Sequence, residues 1–193
     1  HQRHLAFQLP VSTAIESCVS RKATKLTIDF SLRAAGRLAR FLPVAFASPD
    51  DAEARRECLL GSLEAGIAFT NSSVALVHGM ARPLGAKFGI PHGVSNAVLL
   101  EAIMRFSLPG AQERYARLAE AMGVVPAGTP LETARAGLGI VSRLVRELHI
   151  PRLRDLLSRE ALDAQLDAMV REAVASGSPA NNPRPASPEE IAS

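Results

Sequence analysis

Apolar residues recur along most of this chain with the 3.6-residue period of a helix that buries one face. From Ile28 the positions Leu32, Ala35, Leu38, Ala39 and Leu42 form one stripe. The run Asp50 to Glu53 reads as the cap of a long helix passing Leu59, Leu60 and Leu63 toward Phe69. Thr129-Pro130-Leu131-Glu132 has the form of a capping box. In such a box an N-cap hydroxyl and a third-position carboxylate satisfy each other's backbone amides. The stripe that follows, Leu131, Ala134, Leu138, Val141, Leu144, Val145 and Leu148, is the cleanest in the chain. Pro151 is expected to start a further helix carrying Leu153, Leu156, Leu157, Leu162, Leu166, Met169 and Val170. Residues 175–188 form a Ser/Pro/Asn loop, and Ser187-Pro188-Glu189-Glu190 is a second capping box. Alternating strand patterns of useful length are absent, and no repeat of fixed period is evident. The pattern predicts an all-α bundle of about seven or eight helices.

One stretch interrupts the pattern. Between His78 and His92 stand Pro83, Gly85, Gly89 and Pro91. On a single unbroken helix the two imidazoles would lie roughly 21 Å apart, at 1.5 Å per residue, and could not meet. A turn at Gly89-Ile90-Pro91, with Pro91 opening the next helix, would let His92 swing back toward His78. The helix break is therefore expected between Lys87 and Pro91. His78 and Arg82, four residues apart, then share a face. If both imidazoles bound one ion, their Nε2 atoms would lie within about 6 Å of each other.

Composition narrows the classes. The chain has 193 residues, 47% hydrophobic and 21% charged, which suits one well-buried domain. No run of eighteen apolar residues suggests a membrane span, and HQRHLAFQLP lacks the apolar core of a signal peptide. With a net charge of +3, one Tyr, seven Phe and no Trp, there is no platform for stacking bases, so nucleic acid is not expected. Cys18 and Cys58 have no metal or redox spacing and read as small buried groups in a reducing cytoplasm. Neither a phosphate-cradling GxGxxG or GxxxxGK[ST] nor a GxSxG elbow is present. His1 and His4 lie in the irregular start of the chain, and His149 sits at a helix C-terminus, where the dipole favours a cation. By themselves His78 and His92 are too few for a strong metal site. The chain begins at His1 rather than Met and stops at Ser193, soon after announcing a helix, the pattern of a fragment.

Three segments add a resemblance. GIAFTNSSVALVHGMARPLGAKFGIPHGVSNAVLL at 66–100, AIESCVSRKA at 14–23 and NNPRP at 181–185 resemble the iron-containing (group III) alcohol dehydrogenases. The resemblance implies an N-terminal α/β domain that binds NAD(P) and a C-terminal helical domain that supplies the metal ligands. Residues 14–193 would correspond to the helical domain alone, and 1–13 to a divergent or artefactual segment. It implies that His78 and His92 are two of four ligands for Fe2+ (or Zn2+). An Asp-x-x-x-His pair would supply the others, but those positions hold Leu9 and Thr13. Arg82 stands where the family places a His near substrate. An Arg can hydrogen-bond an alkoxide or carboxylate, but it cannot shuttle a proton near neutral pH. The implied activity is oxidation of a primary or secondary alcohol by hydride transfer to NAD(P), with the metal as Lewis acid. The implied partners are a small alcohol or aldehyde and other copies in a homo-oligomer. With half the ligands and no cofactor domain, the isolated chain is expected to be inactive. The alternatives are a non-catalytic helical remnant and a metal-independent reductase of the maleylacetate reductase type. The sequence Pro91-His92-Gly93-Val94-Ser95-Asn96 disfavours the second.

Overall fold

The computed structural model describes residues 9–192 and contains ten α-helices, with no strand among the described residues. Eight are of ten residues or more: α1 (Leu9–Val19), α2 (Lys25–Ala47), α3 (Ala52–Ser72), α4 (Leu76–Phe88), α5 (His92–Ser107), α6 (Gln112–Ala121), α7 (Pro130–Glu147) and α9 (Arg159–Ala175). Two are single turns, α8 (Leu153–Leu156) and α10 (Pro188–Ala192). No single helix among the described residues is long and apolar enough to cross a membrane.

The middle of the bundle is α1. Residues 11–20, which take in most of it, are all buried, and Ala14, Ser12, Ser17 and Cys18 have no exposed surface. Such small side chains let α2, α3 and α5 approach it closely. Residues 9–13, which precede the segments quoted for the resemblance, form the first turns of this helix. Around it, α2 and α3 pack along one another, with Leu38 and Leu42 of α2 buried between them and the rest of the core. The second layer is α6 against α7, where Leu118, Ala119, Ala134, Leu138 and Val141 close the core. Burial raises the Cys18 thiol to about 12 and the Cys58 thiol to about 11, so both are inert small core groups.

The helix ends follow the expected chemistry in most places. Thr129 accepts from Glu132 N at 3.3 Å while the Glu132 carboxylate accepts from Thr129 N at 2.7 Å. Ser187 and Glu190 form the same reciprocal pair, at 3.2 and 3.0 Å. Asp51 caps α3 by accepting from Ala54 N at 2.8 Å. A further box, in which Thr24 and Thr27 cap α2, has a hydroxyl in place of the usual third-position carboxylate.

Three expectations are corrected. The helix expected from Pro151 through Val170 starts at Leu153, stops at Leu156 and begins again at Arg159. Leu157 is extended, and the Ser158 hydroxyl accepts from Ala161 N at 3.2 Å, so a competing N-cap interrupts the apolar pattern. Leu153 and Leu157 turn inward onto a satellite core of Leu84, Ile90 and Val94. Residues 175–188 are not all loop, since Pro179–Asn181 form a 3-10 turn. Pro91 is the N-cap of α5, with φ −54° and ψ 137°, and His92 is the first helical residue. His149, just past α7, has φ 52° and packs edge-to-face on Phe46, ring centroids 5.6 Å apart.

Candidate metal-site cleft

The break that brings the histidines together lies at Gly89. There the chain takes φ 66°, a left-handed conformation that a glycine adopts without a Cβ clash. Pro83 and Gly85 remain inside α4 and do not break it. Helices α4 and α5 then pack on each other, and His92 in the first turn of α5 returns toward His78 in the first turn of α4. Their rings meet edge-to-face, centroids 5.4 Å apart and planes at 66°.

Both line a cleft of about 260 Å³ with Pro10 and Thr13 from α1, Ser62, Ala65, Gly66 and Phe69 from α3, and Arg82 from α4. His78 is 5% exposed, whereas His92 and Arg82 face solvent at the cleft mouth. Arg82 Nη1 donates to the Ser178 hydroxyl at 3.1 Å, which ties the cleft to the closing loop. That loop is itself anchored. Asn181 Nδ2 donates to the Val74 carbonyl at 3.0 Å, and Asn182 bridges Ser107 Oγ (2.9 Å) and the Arg184 carbonyl (2.7 Å). His92 is steadied by Asn96, whose Nδ2 donates to the His92 carbonyl at 2.8 Å. Partial burial lowers the His92 pKa from its ordinary value, helped by His78 and the Arg82 guanidinium. A neutral ring at pH 7, with a nitrogen lone pair to offer, follows.

One residue behind the cleft was not singled out from the sequence. Glu16 of α1 is 3% exposed and sits behind His78. Its carboxylate accepts from Val77 N at 2.6 Å and His78 N at 3.3 Å, and it lies 2.5 Å from His78 Nδ1. The sequence signal was present, a lone acid in a ten-residue buried run, but its partner lies 62 residues away.

Of the residues expected at a metal site, the structure brings together His78, His92, Arg82 and Thr13. His1 and His4 lie outside the described residues, as does the side chain of Leu9. Among the described residues no group of three or more His, Cys, Asp or Glu side chains is placed to hold a metal ion.

The bundle and the sequence are similar to those of known proteins. The profile of the Fe-containing alcohol dehydrogenase family, C-terminal, matches residues 11–193. The lactaldehyde reductase of Escherichia coli (strain K12) is 39% identical over 181 residues, covering 92% of this chain and 46% of that one. The 1,3-propanediol dehydrogenase of Klebsiella pneumoniae is 36% identical over 181 residues, covering 93% and 46%. A crystal structure of a 1,3-propanediol oxidoreductase superposes with a TM-score of 0.92 at 34% identity, over 97% of this chain and 49% of that one. The chain spans about half the length of these relatives. A matched profile over nearly the whole chain, on an all-helical bundle whose cleft gathers His78 and His92, leaves one assignment: the chain belongs to the iron-containing alcohol dehydrogenase family, in its C-terminal domain.

Proposed function

We propose that this chain supplies the helical, metal-side half of an NAD(P)-dependent oxidoreductase acting on small alcohols or aldehydes. By itself it neither holds iron firmly nor turns over alcohol. The relatives named for 1,3-propanediol and lactaldehyde support the substrate class, a short primary alcohol or its aldehyde. The observation that carries the second statement is the donor set. His78 and His92 are the proposed ligands, and Thr13 and Ser62, which line the same cleft, offer only neutral hydroxyls. Leu9, one helical turn earlier, has no donor. A catalytic metal takes three or more protein ligands, and an anionic one offsets half of a divalent ion's charge, so these residues do not fit a firmly held divalent ion. What the chain's own residues can do is bind and orient. Arg82, held by Ser178, directs a guanidinium at the cleft mouth that can donate to an alkoxide or carboxylate oxygen. The hydride acceptor would have to be presented from outside the described helices, which contain no Gly-rich strand-to-helix phosphate cradle.

The test is metal content and turnover together. After anaerobic dialysis against ferrous or zinc ion, the purified chain should retain well under one equivalent and show no alcohol-dependent NAD(P) reduction. One firmly bound equivalent, or a rate above the enzyme-free control, would overturn the reading. A non-catalytic role in packing is the second reading, favoured by Leu9 and Thr13 at the positions of the ligand pair.

Self-association is part of the proposal. Leu59 and Leu63 on α3 are 62% and 60% exposed, and Ile67 continues their row one turn later. Apolar rows of this kind mark surfaces that associate. Sedimentation should report a homo-oligomer that Leu63→Glu dissociates, and a wild-type monomer at high concentration would remove this element.

A further inference from the structure

Helix α4 begins without help from its own sequence. Its N-cap is Ala75, which has no side chain to accept the first amides. The buried Glu16 carboxylate takes that role from another helix, with Oε1 on Val77 N and Oε2 on His78 N. An anion at this end of a helix is favoured by the dipole and by the unpaired amides. The same Oε2 lies 2.5 Å from His78 Nδ1. An ionised carboxylate has only acceptors, so a nitrogen that pairs with it carries the hydrogen. Nδ1 is thereby used up on the protein side of the ring, and Nε2 is the nitrogen left for the cleft that His78 lines with His92, Thr13 and Arg82.

We propose that Glu16 is a positioning residue that locks His78 as the Nδ1–H tautomer, so that the Nε2 lone pair faces the cleft. The ligands that such a nitrogen takes are a borderline transition-metal ion or the hydrogen of a hydroxyl group. Its counterpart with the hydrogen on Nε2 could do neither. This assignment goes beyond the functional reading above and does not depend on it, because the tautomer is set with or without an occupant. It also explains why a carboxylate is buried so deeply here. The side chain serves a helix start and a ring orientation at once, and an Ala or Leu in its place would leave two backbone amides and a ring nitrogen unpaired in the core.

The experiment is long-range 15N–1H NMR of the imidazole rings in the metal-free chain, with the His78 signals assigned by comparison with His78→Gln. The wild-type ring should show a protonated Nδ1 and a bare Nε2 at neutral pH. Glu16→Gln keeps an oxygen for the backbone amides but can turn an NH2 donor toward Nδ1, so the hydrogen should move to Nε2. A purely structural role for Glu16 would not exchange the two nitrogen signals. A wild-type ring with its hydrogen on Nε2, or with both nitrogens protonated, would overturn the proposal, as would a folded Glu16→Gln whose ring pattern is unchanged. Should that variant fail to fold, the wild-type spectrum decides alone.

Discussion

Thr13→His is expected to convert a two-imidazole cleft into one that holds a divalent metal. Thr13 is on α1, lines the same cleft as His78 and His92, and is 8% exposed. An imidazole there would bring the count to three protein ligands with a position left open, the usual number for a catalytic zinc site. Removing an outer-shell partner alone changes metal affinity by ~10–100-fold, so adding a direct ligand should raise it by on the order of a hundredfold or more. Cobalt(II) is the convenient probe, because a four-coordinate site gives a visible absorption far more intense than that of hexa-aquo cobalt. Titration should saturate near one equivalent in Thr13→His and show no such band in the parent chain. An unchanged titration would mean that position 13 does not face the metal position, and the two-ligand account of the cleft would fall. Adding Leu9→Asp should tighten binding further, since a carboxylate one turn before position 13 would supply the anionic donor.

The second large effect is steric and lies away from the cleft. Gly36 is where α2 meets the end of α6, and a Cβ placed on it would stand 2.6 Å from the Ala121 carbonyl oxygen. The obstacle is backbone, so no rotamer change relieves it, and one of the two helices must move. Gly36→Val should cost about 3 kcal/mol or more. In a chain of this size that lowers the unfolding midpoint by roughly 6–12 °C. Gly139, in the middle of α7, is the internal control: a Cβ there meets nothing within 4 Å. Gly139→Ala should therefore stabilise by up to ~1 kcal/mol, the difference in helix propensity. Thermal unfolding of the two variants reads opposite signs, and a Gly36→Val midpoint equal to wild type would refute the close packing of α2 on α6.

The residues that produced most of the fold could be read directly, because helix formation depends on spacing and on short-range capping. The stripe from Leu131 to Leu148 and the Thr129–Glu132 box delimit α7 within a residue. The Gly89–Pro91 break follows from backbone preferences of glycine and proline, and it is what allows His92 to return to His78. The same local logic failed at Leu157. There, apolar spacing predicted a continuous helix, while Ser158 offered a cap and the satellite core drew Leu153 and Leu157 inward. The non-helical turn there goes with packing against Leu84 of α4 and Val94 of α5.

By itself, then, the sequence determined the all-helical class, the main helix starts and the pairing of two imidazoles across one turn. Each is written in residues fewer than about twenty positions apart, within reach of periodicity and capping. Only the tertiary structure decided what surrounds that pair. Glu16 reaches His78 across 62 residues, Ser178 reaches Arg82 across 96, and Thr13 joins the cleft because α1 is threaded through the middle of the bundle. Such contacts form when helices pack, and they leave no period in the chain to read.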